Sequence, residues 1–180
     1  TTRRAFALNS IASALVNAGD NEQALTTLRQ ALEVAQEIES ADYKASTQMA
    51  IASALAKAGD IKQALEAAQK IENADYKAYA LSDIALVLFE AEDKEQAFAT
   101  MKQAVEVAQQ IEDQRSRTFA LRRIASALAN AGDNEQALEI LKQATQAAQR
   151  IENVDYKVFA LRDIASGQVE AKDKEQALAT

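Results

Sequence analysis

Three observations predict an all-α fold, an α-solenoid of antiparallel helix pairs wound into a right-handed superhelix. The phrase Ile-Ala-Ser-Ala-Leu-x-x-Ala-Gly-Asp recurs, as IASALVNAGD from Ile11, IASALAKAGD from Ile51, IALVLFEAED from Ile84, IASALANAGD from Ile124 and IASGQVEAKD from Ile164. Its starts lie 40, 33, 40 and 40 residues apart. Self-similarity at such a period marks units that bury their apolar faces only against neighbours. The chain has no proline and 4 glycines in 180 residues, and alanine, leucine, glutamate, glutamine and lysine dominate it. These are strong helix formers. Gly19, Gly59 and Gly132 share one place in the repeat, where a helix has to end in a left-handed turn.

In the first unit, Leu8, Ile11, Ala12 and Leu15 fall on one helical face, which places a helix from Ala5 to Val16. Asn17, Ala18 and Gly19 interrupt it, and Asp20 is a good N-cap for the next helix. Gln23, three residues on, makes the pattern resemble a capping box. Asp60/Gln63, Asp93/Gln96, Asp133/Gln136 and Asp173/Gln176 repeat it. The second helix is expected from Asn21 to Glu39, with Ala24, Leu25, Leu28, Ala31, Leu32, Ala35 and Ile38 as its stripe. Asp42, Asp75 and Asp155 then fall in the first turn of the following helices, where a carboxylate suits the helix dipole. Short turns make each pair antiparallel.

The second unit is seven residues shorter, and the loss falls in its second helix. Seven residues are nearly two turns, a drift of about 20°. The apolar face survives, and the sequence predicts a shorter helix, a step in the superhelix and a notch on its outer surface. Unit two also has Gln48 where the others have leucine, and unit five has Gln168 where they have Leu15, Leu55, Leu88 and Leu128. The whole chain, 1–180, reads as a single array with repeats 3–42, 43–75, 76–115, 116–155 and 156–180. The last is incomplete, since its second helix would stop at Thr180. The chain opens and closes inside repeats, which reads as a piece of a longer array.

The pattern resembles the tetratricopeptide repeat, whose signature is W-x2-L-G-x2-Y, then A-x3-F, then P, in about 34 residues. The first unit offers Leu8, Ile11, Ala12 and Leu15, then Ala24 and Leu28. The third offers Leu81, Ile84, Ala85, Leu88, Ala97 and Met101, and the fourth Leu121, Ile124, Ala125, Leu128, Ala137 and Leu141. The signature proline is missing, and the period is mostly 40. The repeats are therefore similar to the longer ones of kinesin-light-chain-like members. The resemblance implies a non-catalytic scaffold for protein–protein interaction.

Composition narrows the alternatives. The net charge is −7, opposite to the balance of a nucleic-acid binder. There is no cysteine and no histidine, which removes the commonest nucleophile–base pairs and zinc ligands. No apolar run approaches the about 18–20 residues of a membrane span, and no signal segment is visible. No cofactor, metal site or catalytic site is expected, and a cytoplasmic location is favoured. The serine shared by four units (Ser13, Ser53, Ser126, Ser166) has no histidine to activate it.

In the family resembled, the first helices of successive repeats line a concave groove for a peptide or partner helix. That resemblance points to Phe6, Asn9, Ser13 and Asn17 in unit one, and to Met49, Ser53 and Lys57 in unit two. It points to Tyr79, Ser82, Leu86, Phe89 and Glu90 in unit three. Phe119, Arg122, Ser126 and Asn130 follow in unit four, and Phe159, Arg162, Ser166 and Glu170 in unit five.

Arg115, Arg117, Arg122, Arg123 and Arg162 form a basic cluster in an acidic chain. Guanidinium groups suit bidentate capture of carboxylates or phosphates, so an acidic protein or peptide is the expected partner. A solvated, salt-bridged face with Glu112, Asp113 and Asp163 is the competing account. Leu86 and Phe89 replace smaller residues of other units and are either anchors for a partner or packing groups. Tyr43, Tyr76 and Tyr156 recur at the starts of first helices and are expected to make inter-repeat contacts. Two other functional readings stand beside the scaffold. One is self-assembly into homo-oligomers, head to tail or by helix exchange, through apolar faces at the ends of the array. The other is a regulatory arm of a larger enzyme.

Overall fold

The computed structural model describes the backbone of residues 1–178 and the side chains of residues 1–172. Among the described residues there are nine α-helices and no strand. They are α1 (Thr2–Asn17), α2 (Asn21–Gln36), α3 (Ala41–Lys57), α4 (Ile61–Gln69), α5 (Ala74–Glu90), α6 (Lys94–Gln109), α7 (Gln114–Asn130), α8 (Asn134–Gln149) and α9 (Val154–Leu178). None of them is long and apolar enough to cross a membrane.

The helices form two layers of an α-solenoid. The first helices α1, α3, α5, α7 and α9 each touch the next in line. Each second helix packs on the first helix of its own pair and on the one that follows. Small residues sit where helices approach most closely. Ala24, Ala64, Ala97 and Ala137, at one place in the repeat, have no exposed surface. Leu28, Leu55, Ile84, Met101, Leu121 and Ile124 fill the space between, all fully buried. Interdigitation of this kind gives a core close to crystal density. Ile11 is the exception to its series. It is 53% exposed, whereas Ile51, Ile84 and Ile124 have no exposed surface because each lies against a preceding first helix.

The turns follow from local chemistry. Gly19, Gly59 and Gly132 take φ of 82°, 94° and 87°. The carboxylates of Asp20, Asp60, Asp93 and Asp133 accept the backbone N–H of Gln23, Gln63, Gln96 and Gln136. One of the donors left orphaned at each helix start is thereby satisfied. In unit three, Glu92 makes the same turn at φ 63°, a region that disfavours any side chain. Packing of Ala97 and Met101 into the core holds it there.

Two sequence expectations need correction. The second helix of unit one ends at Gln36 rather than Glu39, and Ile38 is buried in the turn that follows. In unit five, the expected turn near Lys172 is absent, and α9 runs unbroken through Leu178. Lysine stands there in place of the glycine, and a left-handed turn would cost it about 1–2 kcal/mol. A continuous helix avoids that strain. The side chains of Asp173 and Gln176 lie outside the described residues. The shortened helix of unit two is found as α4, which has 9 residues where α2, α6 and α8 have 16.

Candidate functional site

First helices α5, α7 and α9 carry a furrow on the first-helix layer. Its wider section is a cavity of about 770 Å³. Tyr79, Phe119, Tyr156 and Phe159 supply its aromatic walls, with Ile151 and Ala160 between them. Arg115, Arg122, Asp155 and Asp163 supply its charge. A narrower section of about 250 Å³ continues it and shares Arg122 and Asp163. There Ser126, Asn130, Ser166 and Glu170 make the lining polar.

Helical spacing explains the arrangement. Arg115, Phe119, Arg122, Ser126 and Asn130 are three or four residues apart, so they form one stripe along α7. Phe159, Asp163, Ser166 and Glu170 form the facing stripe on α9.

Aromatic and guanidinium groups alternate across the furrow. The Arg115 guanidinium lies over the Tyr156 ring, 3.7 Å from its centroid. Arg122 lies 5.2 Å from the centre of Phe119, and Arg162 4.8 Å from that of Phe159. Tyr79 meets Phe119 edge to face, with centroids 5.7 Å apart. Such stacking fixes a guanidinium plane while leaving its N–H edge free for an anion.

The arginines do not act as one cluster. Arg123 donates to Asp83 Oδ1 at 2.8 Å, and Arg117 Nε donates to the Ile111 carbonyl at 2.7 Å, at the end of α6. Arg162 pairs with its neighbour Asp163 at 3.3 Å. Arg115 and Arg122 form no ion pair among the described residues. Asp155 also has none, and it occupies in α9 the place Arg115 holds in α7. Those two charges offset one another at one mouth of the furrow. Asp163 is paired with Arg162, and Glu170 lines the narrow section, so Arg122 stands at the join of the two sections with no ion pair among the described residues.

The other positions expected in a groove are distributed differently. Asn17 and Lys57 are exposed, but no cavity described gathers them. Ser13 donates to the Asn9 carbonyl at 2.9 Å, and the Asn9 side-chain oxygen is itself buried without a partner. Ser53 donates to Asp83 Oδ2 at 2.8 Å. Met49, Leu86 and Phe89 are half-buried and pack against the core. Phe89 meets Phe98 edge to face at 4.9 Å, so packing accounts for it. Ser82 is a correction. It is 1% exposed and its hydroxyl has no partner, so it is not available to a ligand. The long Arg122 and Arg162 reach outward from that register position, and a serine does not.

Tyr79 is largely enclosed, at 9% exposure. Burial pushes its phenol up to about 12, with the Asp75 carboxylate adding to the rise and Arg123 opposing it. Of the recurring tyrosines, Tyr156 contacts the preceding unit through Arg115, Tyr76 contacts Tyr79 of its own helix, and Tyr43 is exposed. Asp83 was not foreseen as a functional position. The signal for it was available, because Asp83 and Arg123 hold the same register one unit apart with opposite charge.

Comparison with known proteins bears on the fold. A tetratricopeptide repeat model matches residues 3–75, and a second matches residues 121–150. Together they cover more than half of the chain. The crystal structure of Ton1535 from Thermococcus onnurineus NA1 is similar over 94% of this chain, with 24% identity and a TM-score of 0.67. This chain spans about half of that protein, 51% of its length. A putative kinesin light chain of Podosopora anserina with nearly identical TPR-like repeats is similar over 99% of this chain and 92% of its own. There the identity is 15% and the TM-score 0.51, a likeness of fold. No curated protein matches. With the stacked helix pairs, the glycine–aspartate turns and both repeat models in agreement, the chain belongs to the tetratricopeptide repeat family, whose repeats generally mediate protein–protein interaction.

Proposed function

We propose that this chain is a protein-interaction module and that the furrow between α7 and α9 is where a partner segment docks. The observation that carries the reading is the 770 Å³ aromatic cavity bordered by Arg122, which forms no ion pair among the described residues. Its size falls within the about 300–1,000 Å³ of ligand clefts, and its pairing of large apolar walls with a few oriented polar groups is what such clefts use. A bulky apolar side chain of the partner enters the aromatic section. An acidic side chain next to it meets Arg122. The narrow section, with Ser126, Asn130 and Ser166, takes the continuing backbone through hydrogen bonds.

Fluorescence anisotropy tests this with a labelled peptide in which phenylalanine is flanked by glutamates, and with its lysine counterpart. The glutamate peptide binds. Phe119→Ala and Arg122→Glu each weaken it at least about tenfold, a loss of about 1.4 kcal/mol, with unchanged helical circular dichroism. Equal binding of the lysine peptide, or full affinity in both variants, would overturn the reading.

A further inference from the structure

A second concavity lies beside the short α4 and shares no lining residue with the furrow. It is a cavity of about 180 Å³ between the last turns of α2, the middle of α3 and the short α4. Gln48 lines it from α3. This glutamine stands where Leu8, Leu81, Leu121 and Leu161 stand in the other units. It is 4% exposed, yet no hydrogen bond among the described residues reaches its amide. Its amide atoms are not among the buried ones left without a partner, so they face the open cavity that the side chain lines. Leucine in the other units offers no such polar group. The amide is therefore held in place by burial of its stem and is open to a group that enters the cavity from outside.

The surroundings state the chemistry of that partner. Glu33 and Glu66 line the cavity and form no ion pair among the described residues. Gln36 and Gln63 add carbonyl acceptors beside Gln48. Leu32 and Ala67 give it an apolar side. Lys70 is the single cation of the lining. Acceptors therefore outnumber fixed donors, the net charge is negative, and an apolar strip runs alongside. Within the protein, Arg29 already donates from Nε to Gln63 Oε1 at 3.4 Å and pairs with Asp60 at 3.4 Å. A guanidinium is thus accepted beside one of these same amides.

We propose that this notch is a socket for an arginine side chain of a partner protein. The guanidinium, with five donors and no acceptor, satisfies the Gln48 carbonyl and the two glutamates. Its methylene stem lies on Leu32 and Ala67. The socket shares no lining residue with the furrow, so one partner or two can use the array.

The test is a nuclear magnetic resonance titration of the full chain with the capped tripeptide Ac-Gly-Arg-Gly-NH2, followed on the side-chain amides of Gln48 and Gln63. The glutamate tripeptide Ac-Gly-Glu-Gly-NH2 is the control. The arginine tripeptide shifts both amides saturably at millimolar concentration, added salt weakens the effect, and the glutamate tripeptide leaves them unmoved. Gln48→Leu, which restores the residue of the other units and so folds, abolishes the saturable shift at Gln63. Glu66→Gln, which keeps the shape of the socket, weakens binding severalfold. A Gln48 amide that does not move overturns the proposal. So does a Gln63 shift that survives in Gln48→Leu, because that is attraction to surface charge alone.

Discussion

The carboxylate of Asp83 on α5 accepts a hydrogen bond at 2.8 Å from the guanidinium of Arg123 on α7. Its second oxygen accepts the Ser53 hydroxyl of α3 at the same distance, so one carboxylate ties three successive first helices. Arg123 also lies 5.0 Å from the centre of the Tyr79 ring, which borders the furrow. A structural tie thus sets the wall of the candidate site. The Arg123 and Asp83 side chains are 39% and 24% exposed, so solvent screens the pair. Asp83→Ala is expected to cost about 1 kcal/mol by urea unfolding. A double-mutant cycle with Arg123→Ala should return a coupling of about 0.5–1 kcal/mol. A coupling of zero would mean that the bond is incidental to the stack.

Glu92 offers a stabilising change. It makes at φ 63° the turn that glycine makes in three other units. Glu92→Gly relieves about 1–2 kcal/mol of backbone strain and gives back about half of that through the freer unfolded chain. A net gain of about 0.5–1 kcal/mol is expected from thermal or urea unfolding. Gly132→Ala is the mirror experiment. A Cβ there meets nothing within 4 Å, so its cost of about 1 kcal/mol isolates the backbone.

What could be read in the sequence divides along physical lines. Helix pairs were legible because burial repeats at 3.6 residues and turns need glycine and aspartate at fixed places. Gly19 and Asp20 did as their chemistry requires. The stripe of Phe119, Arg122, Ser126 and Asn130 was legible for the same reason. The partners of individual side chains were not. Arg123 and Arg122 are adjacent in sequence, yet one is engaged by Asp83 and the other has no carboxylate partner among the described residues. That difference depends on which way each points across a 100° step of helix, and on what the next unit presents. The unbroken α9 was not legible because the repeat pattern continues through Lys172, and only the backbone cost of a left-handed lysine tells against a turn there.

Ser82 tests whether burial or register governs its role. Its hydroxyl is buried without a partner in the middle of α5. Removing an unsatisfied buried hydroxyl should stabilise the fold by about 1 kcal/mol, and alanine has the better helix propensity. Ser82→Ala is therefore expected to raise the urea midpoint with an unchanged slope, and to leave peptide binding in the furrow intact. A stability loss would mean that a water or a partner group reaches this hydroxyl.

Tyr79 gives the array a distinct alkaline response. Its phenol is raised from the usual 10.0 to about 12, chiefly by burial. The protonated form is therefore favoured in the folded state. Because the folded value lies above the unfolded one, the contribution is fully present below pH 10 and is lost as pH climbs towards 12. Spectrophotometric titration of tyrosinate should show one of the 4 tyrosines ionising late. Tyr79→Phe should remove that late step and flatten the fall in stability over the same window. The Arg123 charge lowers the Tyr79 value, so Arg123→Gln should delay the ionisation further. A Tyr79 that ionises at the usual 10.0, with the helices intact, would show that the ring is open to water and that the furrow wall is not held as described.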